Sequence, residues 1–322
     1  MRLGVVLAMA ASAAFAEVSG VVVNQTTGKP QAGATVTLYK LDQNGMDSRN
    51  TVKSEADGKF SMPETPTGPH LVQTAFDGVT YNHMLPPGRP STGLSLQVYN
   101  ASVKPGDAKV GTHMILFESN GMELTVNESA LWVNEGKTSF NDPANGSFQF
   151  YMPPGAGKPK VMCTAPQGMP IERAPRKTAA ENVYAVDFPV KPGETRFDVI
   201  YTLPMTGPAE FTGKLMHEGG TKRLVSPQGL TLTTEDATLL GQEPQTQASI
   251  YELKKTAFKV KLEGTGSLRG PGGEAPSEDE GAGIKQIWPR LYDRFGAVLG
   301  LAALIMVLGL AMLSRRKAPE KR

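Results

Sequence analysis

Residues 20–41 read GVVVNQTTGKPQAGATVTLYKL, and the spacing of their apolar side chains decides the fold. The β-branched run that begins at Val18 continues through Val23, Thr27-Gly28-Lys29-Pro30 has the chemistry of a turn, and Ala34, Val36 and Leu38 then alternate with Thr35, Thr37 and Tyr39. A period of two places one set of side chains on a buried face and the other toward solvent, which a helix of period 3.6 does not do. A second turn at Asp57-Gly58 delivers Phe60 and Met62 into another strand. The stretch therefore predicts strand, turn and strand, with a core on one side.

Composition extends this reading to the rest of the chain. The sequence carries 35 glycines and 25 prolines in 322 residues, which suits short strands joined by turns and excludes long helices over most of its length. Beyond a proline loop at Pro86, Pro87 and Pro90, Leu94 to Tyr99 reads as the strand that closes a first module, with a boundary near Ser102. Seven short apolar or alternating segments follow: 112–117, 122–126, 130–133, 147–151, 160–164, 182–188 and 195–202. They are separated by Asn-Gly, Asp-Pro and Pro-Gly turns and predict a second sandwich-like domain over 103–206. Five further candidate strands, 210–215, 222–225, 230–233, 248–253 and 258–262, predict a small module over 207–263. The fold class expected is mainly β, with tandem β-sandwich modules.

With the turn at Asp57-Gly58, the first module resembles the carboxypeptidase regulatory-like domain, a seven-stranded prealbumin-like sandwich. The family pattern is met at Gly20, Val22, Gly28, Pro30, Gly33, Ala34, Val36, Leu38, Gly58 and Phe60, while Glu55 stands where an Asp is usual. Downstream, Gly68-Pro69-His70-Leu71-Val72 departs from the family's Gly-x-Tyr-x-Leu. The resemblance implies a folding unit used for structure or binding. None of the matched positions is catalytic, and the word carboxypeptidase implies no activity for them.

The two ends predict an anchored ectodomain. Residues 1–16 have a basic start, an apolar run from Gly4 to Phe15 and an Ala14-Phe15-Ala16 cleavage pattern, the signature of a signal peptide. Phe295 to Ser314 is an uncharged apolar stretch, long enough as a helix to cross a bilayer core of about 30 Å. Arg315, Arg316 and Lys317 in the tail 315–322 place it in the cytoplasm by the positive-inside rule. A Gly, Pro, Ser and acid-rich linker over 264–286 reads as a flexible stalk, and Trp288 to Arg294 open the juxtamembrane and membrane segment 287–314. Gly296 and Gly300 form a GxxxG through which two spans could pair as a homodimer. The expected location is a bacterial cell envelope, with the amino-terminal part outside the cytoplasm.

Charge and motifs narrow the chemistry. Of the formal +2, Arg2 contributes +1 and the tail after Ser314 +4, so the remainder carries −3, which gives no electrostatic reason to expect nucleic acid. The single cysteine, Cys163, lies in KVMCTAP and reads as a small buried hydrophobe. His70, His83, His113 and His217 are scattered without zinc-helix spacing, and neither a Cys-x-x-Cys pair nor a nucleophile elbow is present. Leu203-Pro204-Met205-Thr206-Gly207 matches a sortase pattern but stands far ahead of Phe295, so it reads as a strand end and a turn. Gly155-Ala156-Gly157-Lys158 resembles a phosphate loop except that Pro159 replaces the required hydroxyl residue. No catalytic, cofactor or metal residues are expected.

Three functions fit. The leading one is a non-enzymatic, membrane-anchored envelope protein that presents β modules to another envelope protein. A carbohydrate-binding or adhesion protein would require a solvent-facing row formed by Trp132, Phe140, Phe148, Phe150 and Tyr151, residues whose plainer reading is core alternation. A hydrolase would require Glu118, Glu123, Glu128 and Asp187 to converge.

Overall fold

The computed structural model describes residues 17–43 and 45–268. The signal peptide, the linker beyond residue 268, the membrane span with Gly296 and Gly300, and the tail lie outside the described residues. Within them the chain is mainly β, and no helix is long and apolar enough to cross a membrane.

The amino-terminal lobe contains β1 (Val18–Asn24), β2 (Lys29–Pro30), β3 (Thr35–Asp42), β4 (Gly45–Lys53), β5 (Lys59–Met62), β6 (His70–Phe76), β7 (Val79–Leu85) and β8 (Leu94–Val98). One sheet joins β2 and β5 to β1 antiparallel and β8 to β1 parallel; the other runs in the order β4-β3-β6-β7. Val18, Val22, Val36, Leu38, Phe60, Met62, Val72, Leu96 and Val98 fill the space between the two sheets. This is the alternation of residues 34–39 made three-dimensional: Val36 and Leu38 are fully buried, and Thr37 meets Thr51 on the open face, 3.1 Å between hydroxyls. Asp77 and Gly78, both at positive φ, form the two-residue hairpin turn between β6 and β7.

The second lobe contains β9 (Ala101–Ser102), β10 (Ala108–Ser119), β11 (Glu123–Asn134), β12 (Ser139–Phe140), β13 (Phe148–Tyr151), β14 (Lys160–Thr164), β15 (Ile171–Glu172), β16 (Arg176–Lys177), β17 (Val183–Val186) and β18 (Gly193–Pro204). It continues through β19 (Ala209–Lys214), β20 (Thr221–Ser226), β21 (Leu230–Thr233), β22 (Ala237–Gln242), β23 (Ser249–Leu253) and β24 (Ala257–Gly264). One eight-stranded sheet has the order β15-β14-β18-β11-β10-β20-β23-β22. Two three-stranded sheets, β13-β17-β16 and β19-β24-β21, pack on its buried face, where Phe148 stacks on Phe197 at 4.6 Å and Phe211 meets Phe117 edge-on at 5.0 Å.

Residues 103–206 and 207–263 share this sheet and one continuous core. Phe117, Val126 and Phe197 lie in the same cluster as Phe211, Leu224, Phe258 and Leu262. The physical reason is size: a segment as short as 207–263 buries a small fraction of its surface alone, so its strands gain stability by completing its neighbour's core. Leu203 and Pro204 end β18 and Gly207 turns at positive φ, so the LPMTG stretch is a strand end followed by a turn.

The chain leaves the described body at one end of the long strands. Ser119 and Gly266 exchange two backbone hydrogen bonds of 2.9 Å, and Glu118 accepts from Ser267 Oγ at 2.6 Å and from the Leu268 N–H at 2.8 Å. The segment expected to start the linker at residue 264 is therefore tied to the second lobe as far as Leu268.

Candidate functional site

The aromatic residues that a carbohydrate-binding face would need on the surface are mostly interior. Trp132 and Phe140 are 5% and 7% exposed, Phe148 and Phe150 are fully buried, and only Tyr151 is half-buried. Trp132 packs on Phe140 at 5.8 Å and edge-on to His217 at 5.1 Å, while His217 stacks on Phe148 at 5.2 Å. These rings belong to the core, because strand alternation turns every second one inward and the small sheets cover that face. They form no solvent-facing platform for a sugar.

The four carboxylates do not converge either. Glu128 points into the core, whereas Glu123 and Asp187 are exposed and Glu118 lies on the other face of its strand, holding Ser267 and Leu268. No group of three or more His, Cys, Asp or Glu side chains among the described residues is placed to hold a metal ion. Glu128 instead meets His113 Nε2 at 2.7 Å, with both side chains buried. Next to them, burial and then the nearby His113 hold His217 down to about 4, so at neutral pH its uncharged Nε2 accepts the Gln149 N–H at 2.8 Å. Burial, and then Glu128, push the Tyr201 hydroxyl well above its usual range.

A more open group of polar residues forms where the lobes meet. The junction begins with β9 pairing in parallel with β12, and Phe140 bridging Val190. Asn24 Nδ2 donates to Asn100 Oδ1 at 2.7 Å, the Asn100 N–H donates to Thr26 Oγ1 at 2.9 Å, and Thr26 Oγ1 donates to the Lys137 carbonyl. The Ala101 N–H donates to Asp77 Oδ2 at 2.7 Å. Tyr81 spans the seam: its hydroxyl lies 3.1 Å from the Tyr99 carbonyl and 3.0 Å from Ser139 Oγ. Hydrogen bonds that pair each polar group across a contact fix its geometry, so the lobes are joined as one piece.

Beside this seam a cleft of about 450 Å³ opens between the lobes. One wall is Tyr81, Asn82 and His83 of β7 with Ser95 and Gln97 of β8; the opposite wall is Ala165 to Gly168 with Lys191 and Pro192. Lys191 reaches across to donate to the Thr80 carbonyl and lies 5.2 Å from the centre of the Tyr81 ring. Burial lowers Lys191 to about 8 and raises Tyr81 to about 12. A concave site with converging polar groups and shifted titration is where binding chemistry concentrates. Sequence reasoning missed it, because residues 74–99 and 165–192 meet only through the junction and Lys191 sits in an ordinary Val-Lys-Pro-Gly turn.

The lobe on one side of this cleft has the two-sheet architecture, the turn glycines Gly28, Gly33 and Gly58 at positive φ, and the buried Val36 and Leu38 described above. Residues 17–98 match the carboxypeptidase regulatory-like domain. The regulatory-like domain thus supplies Thr74, Tyr81, Asn82, His83 and Gln97 to the cleft. The match ends at the junction, and the second lobe supplies Lys191.

No curated protein matches the chain. Among solved structures, a substrate-bound mutant of an M1 zinc metallopeptidase from Deinococcus radiodurans is 9% identical, with a TM-score of 0.27 over 49% of this chain and 42% of that one. A two-domain M1 zinc metallopeptidase mutant bound to L-tryptophan is 8% identical, with a TM-score of 0.29 over 49% and 43%. This chain thus spans less than half the length of either, and at that level the likeness transfers neither fold nor activity.

Proposed function

We propose that this protein is a non-enzymatic interaction module of a bacterial envelope, tethered by its carboxy-terminal apolar segment and presenting the regulatory-like domain to a partner. One observation carries the reading: the exit at Leu268 and the interlobe seam lie at opposite ends of the long strands. Ala108 pairs with Asn134 at the seam end, and Ser119 pairs with Leu124 and bridges Gly266 at the other. The twelve residues of β10 separate the two by about 35–40 Å at the usual rise per strand residue. The last described residues therefore leave the body at the end of the long strands away from the seam and its cleft.

The orientation is tested by introducing single cysteines at exposed Val103 and at Ala318 in the tail, in a background where native Cys163 is buried. An impermeant maleimide should label Val103→Cys but not Ala318→Cys in intact spheroplasts. Labelling at both positions, or recovery of the protein in the soluble fraction, would overturn the tether. The interaction role is tested with a photo-cross-linking residue at Gln167 on the cleft rim and, as a control, at Met122 near the exit. A discrete protein adduct from the rim position supports the module; no adduct from either position would sink it.

A further inference from the structure

The cleft contains a cation without an anion. Among the described residues Lys191 makes no ion pair and no aspartate or glutamate lines the cleft. Its ammonium is met, among the described residues, by the Thr80 carbonyl and the face of Tyr81, which leaves donor capacity beside the cavity that Lys191 lines. The remaining wall groups are neutral or basic: the amides of Asn82, Gln97 and Gln167, the hydroxyl-bearing Tyr99 and Ser95, and His83. Thr74, 1% exposed, adds a hydroxyl without a partner to the same wall.

The wall itself is made of strand edges. Among the described residues β7 is the last strand of its sheet, and β8 pairs only with β1. Edge strands carry unpaired N–H and C=O groups, which an added extended chain can satisfy. The volume of about 450 Å³ is in the range that encloses a short segment or a small ligand.

We propose that the cleft binds an acidic segment of a partner polypeptide in extended conformation, laid along the β7 and β8 edges with an aspartate or glutamate carboxylate on Lys191. The proposal rests on the reading of the body as an interaction module and names the chemistry that this module selects. The edges favour a peptide over a free carboxylate, because they provide main-chain hydrogen bonds that a small acid leaves unused.

A random heptapeptide library selected on the full-length protein in detergent micelles tests this. Enrichment should concentrate Asp and Glu at one position, and the selected peptides should bind about tenfold or more weakly to Lys191→Gln, while Lys191→Arg and Lys158→Gln, the latter in a separate cavity that also holds Glu172 and Arg173, keep binding. Because Lys191→Gln also removes a junction contact, Gln167→Glu serves as a second variant. It adds negative charge at the exposed rim without touching the core, and should weaken the same peptides severalfold at low salt, an effect that salt removes. Selected peptides without acidic residues, or binding by both variants as tight as by the unmodified protein, would overturn the proposal. So would displacement of the peptides by sodium acetate or galacturonate at matched concentration, which would assign the site to small carboxylates. A rim cross-link obtained together with acid-free peptides would defeat this inference and leave the interaction module standing.

Discussion

His113 Nε2 and Glu128 Oε1 stand 2.7 Å apart in the core of the second lobe, the only histidine–carboxyl contact among the described residues with both side chains buried. Their strands are neighbours, and His113 Nδ1 has no second partner. Removing one member leaves the other without compensation in a low-dielectric interior. Glu128→Ala, which leaves a buried donor unsatisfied, should therefore cost about 1–3 kcal/mol, whereas His113→Leu combined with Glu128→Met should cost much less. Denaturant melts of both variants check this; equal destabilisation would show that the pair matters for shape and not for charge.

His217 supplies a pH dependence of known sign. Its folded-state value of about 4 lies below the ordinary 6.5, because burial and then His113 oppose the charged ring. Between those values the unfolded chain binds the extra proton, so stability falls as pH drops from about 6.5 to about 4, by an amount on the order of 3 kcal/mol. His217→Phe should flatten this part of the stability profile relative to the unmodified protein, even though it loses the Gln149 hydrogen bond at every pH. Parallel slopes for the two proteins would refute the assignment.

Gly20 lies in β1 opposite Leu94, and a Cβ there would run into the Leu94 carbonyl oxygen. Backbone cannot yield without opening the parallel β1–β8 ladder, so Gly20→Ala should cost about 3 kcal/mol. Gly28, at φ 69° with open space around it, should accept Asn at a cost of roughly 1 kcal/mol or less. Thermal melts distinguish the two positions.

Cys163 is fully buried, and burial pushes its thiol up to about 12. An aromatic disulfide reagent should leave it unmodified in the native protein and react on unfolding, so the labelling rate becomes a local measure of opening. Cys163→Ser, which places a hydroxyl in the same apolar site, should lower stability by about 1–3 kcal/mol.

Strands whose alternation marks a buried face could be read directly from the sequence, as Lys160–Thr164 and Leu230–Thr233 show. Those without one could not. β4 and β22 are edge strands with mostly exposed side chains, so no apolar period marks them. The segments read as 122–126 and 130–133 are a single strand, β11, because the polar run Asn127-Glu128-Ser129 looks like a break yet carries a core residue paired with His113. The glycines of the regulatory-like pattern were legible as a set, although for two different reasons. Gly28, Gly33 and Gly58 turn at positive φ, and Gly20 is required by the proximity of a neighbouring strand. The cleft had no local signature, since Lys191 and Tyr81 become neighbours only when two separately patterned lobes dock.

The parallel pairing of Thr112–Leu116 in β10 with Thr221–Val225 in β20 sets a timetable for the growing chain. The regulatory-like domain can complete both its sheets from residues 18–98 alone. β10 can pair with β11 almost as soon as both are made, but its other edge stays bare until residue 221 appears, about 100 residues later. At typical synthesis rates that interval lasts roughly 5–20 s, during which a twelve-residue edge can recruit the wrong strand. A chain that waits this long should refold or express better with a holding chaperone present, and variants that slow the arrival of residues 221–226 should aggregate more without losing stability once folded.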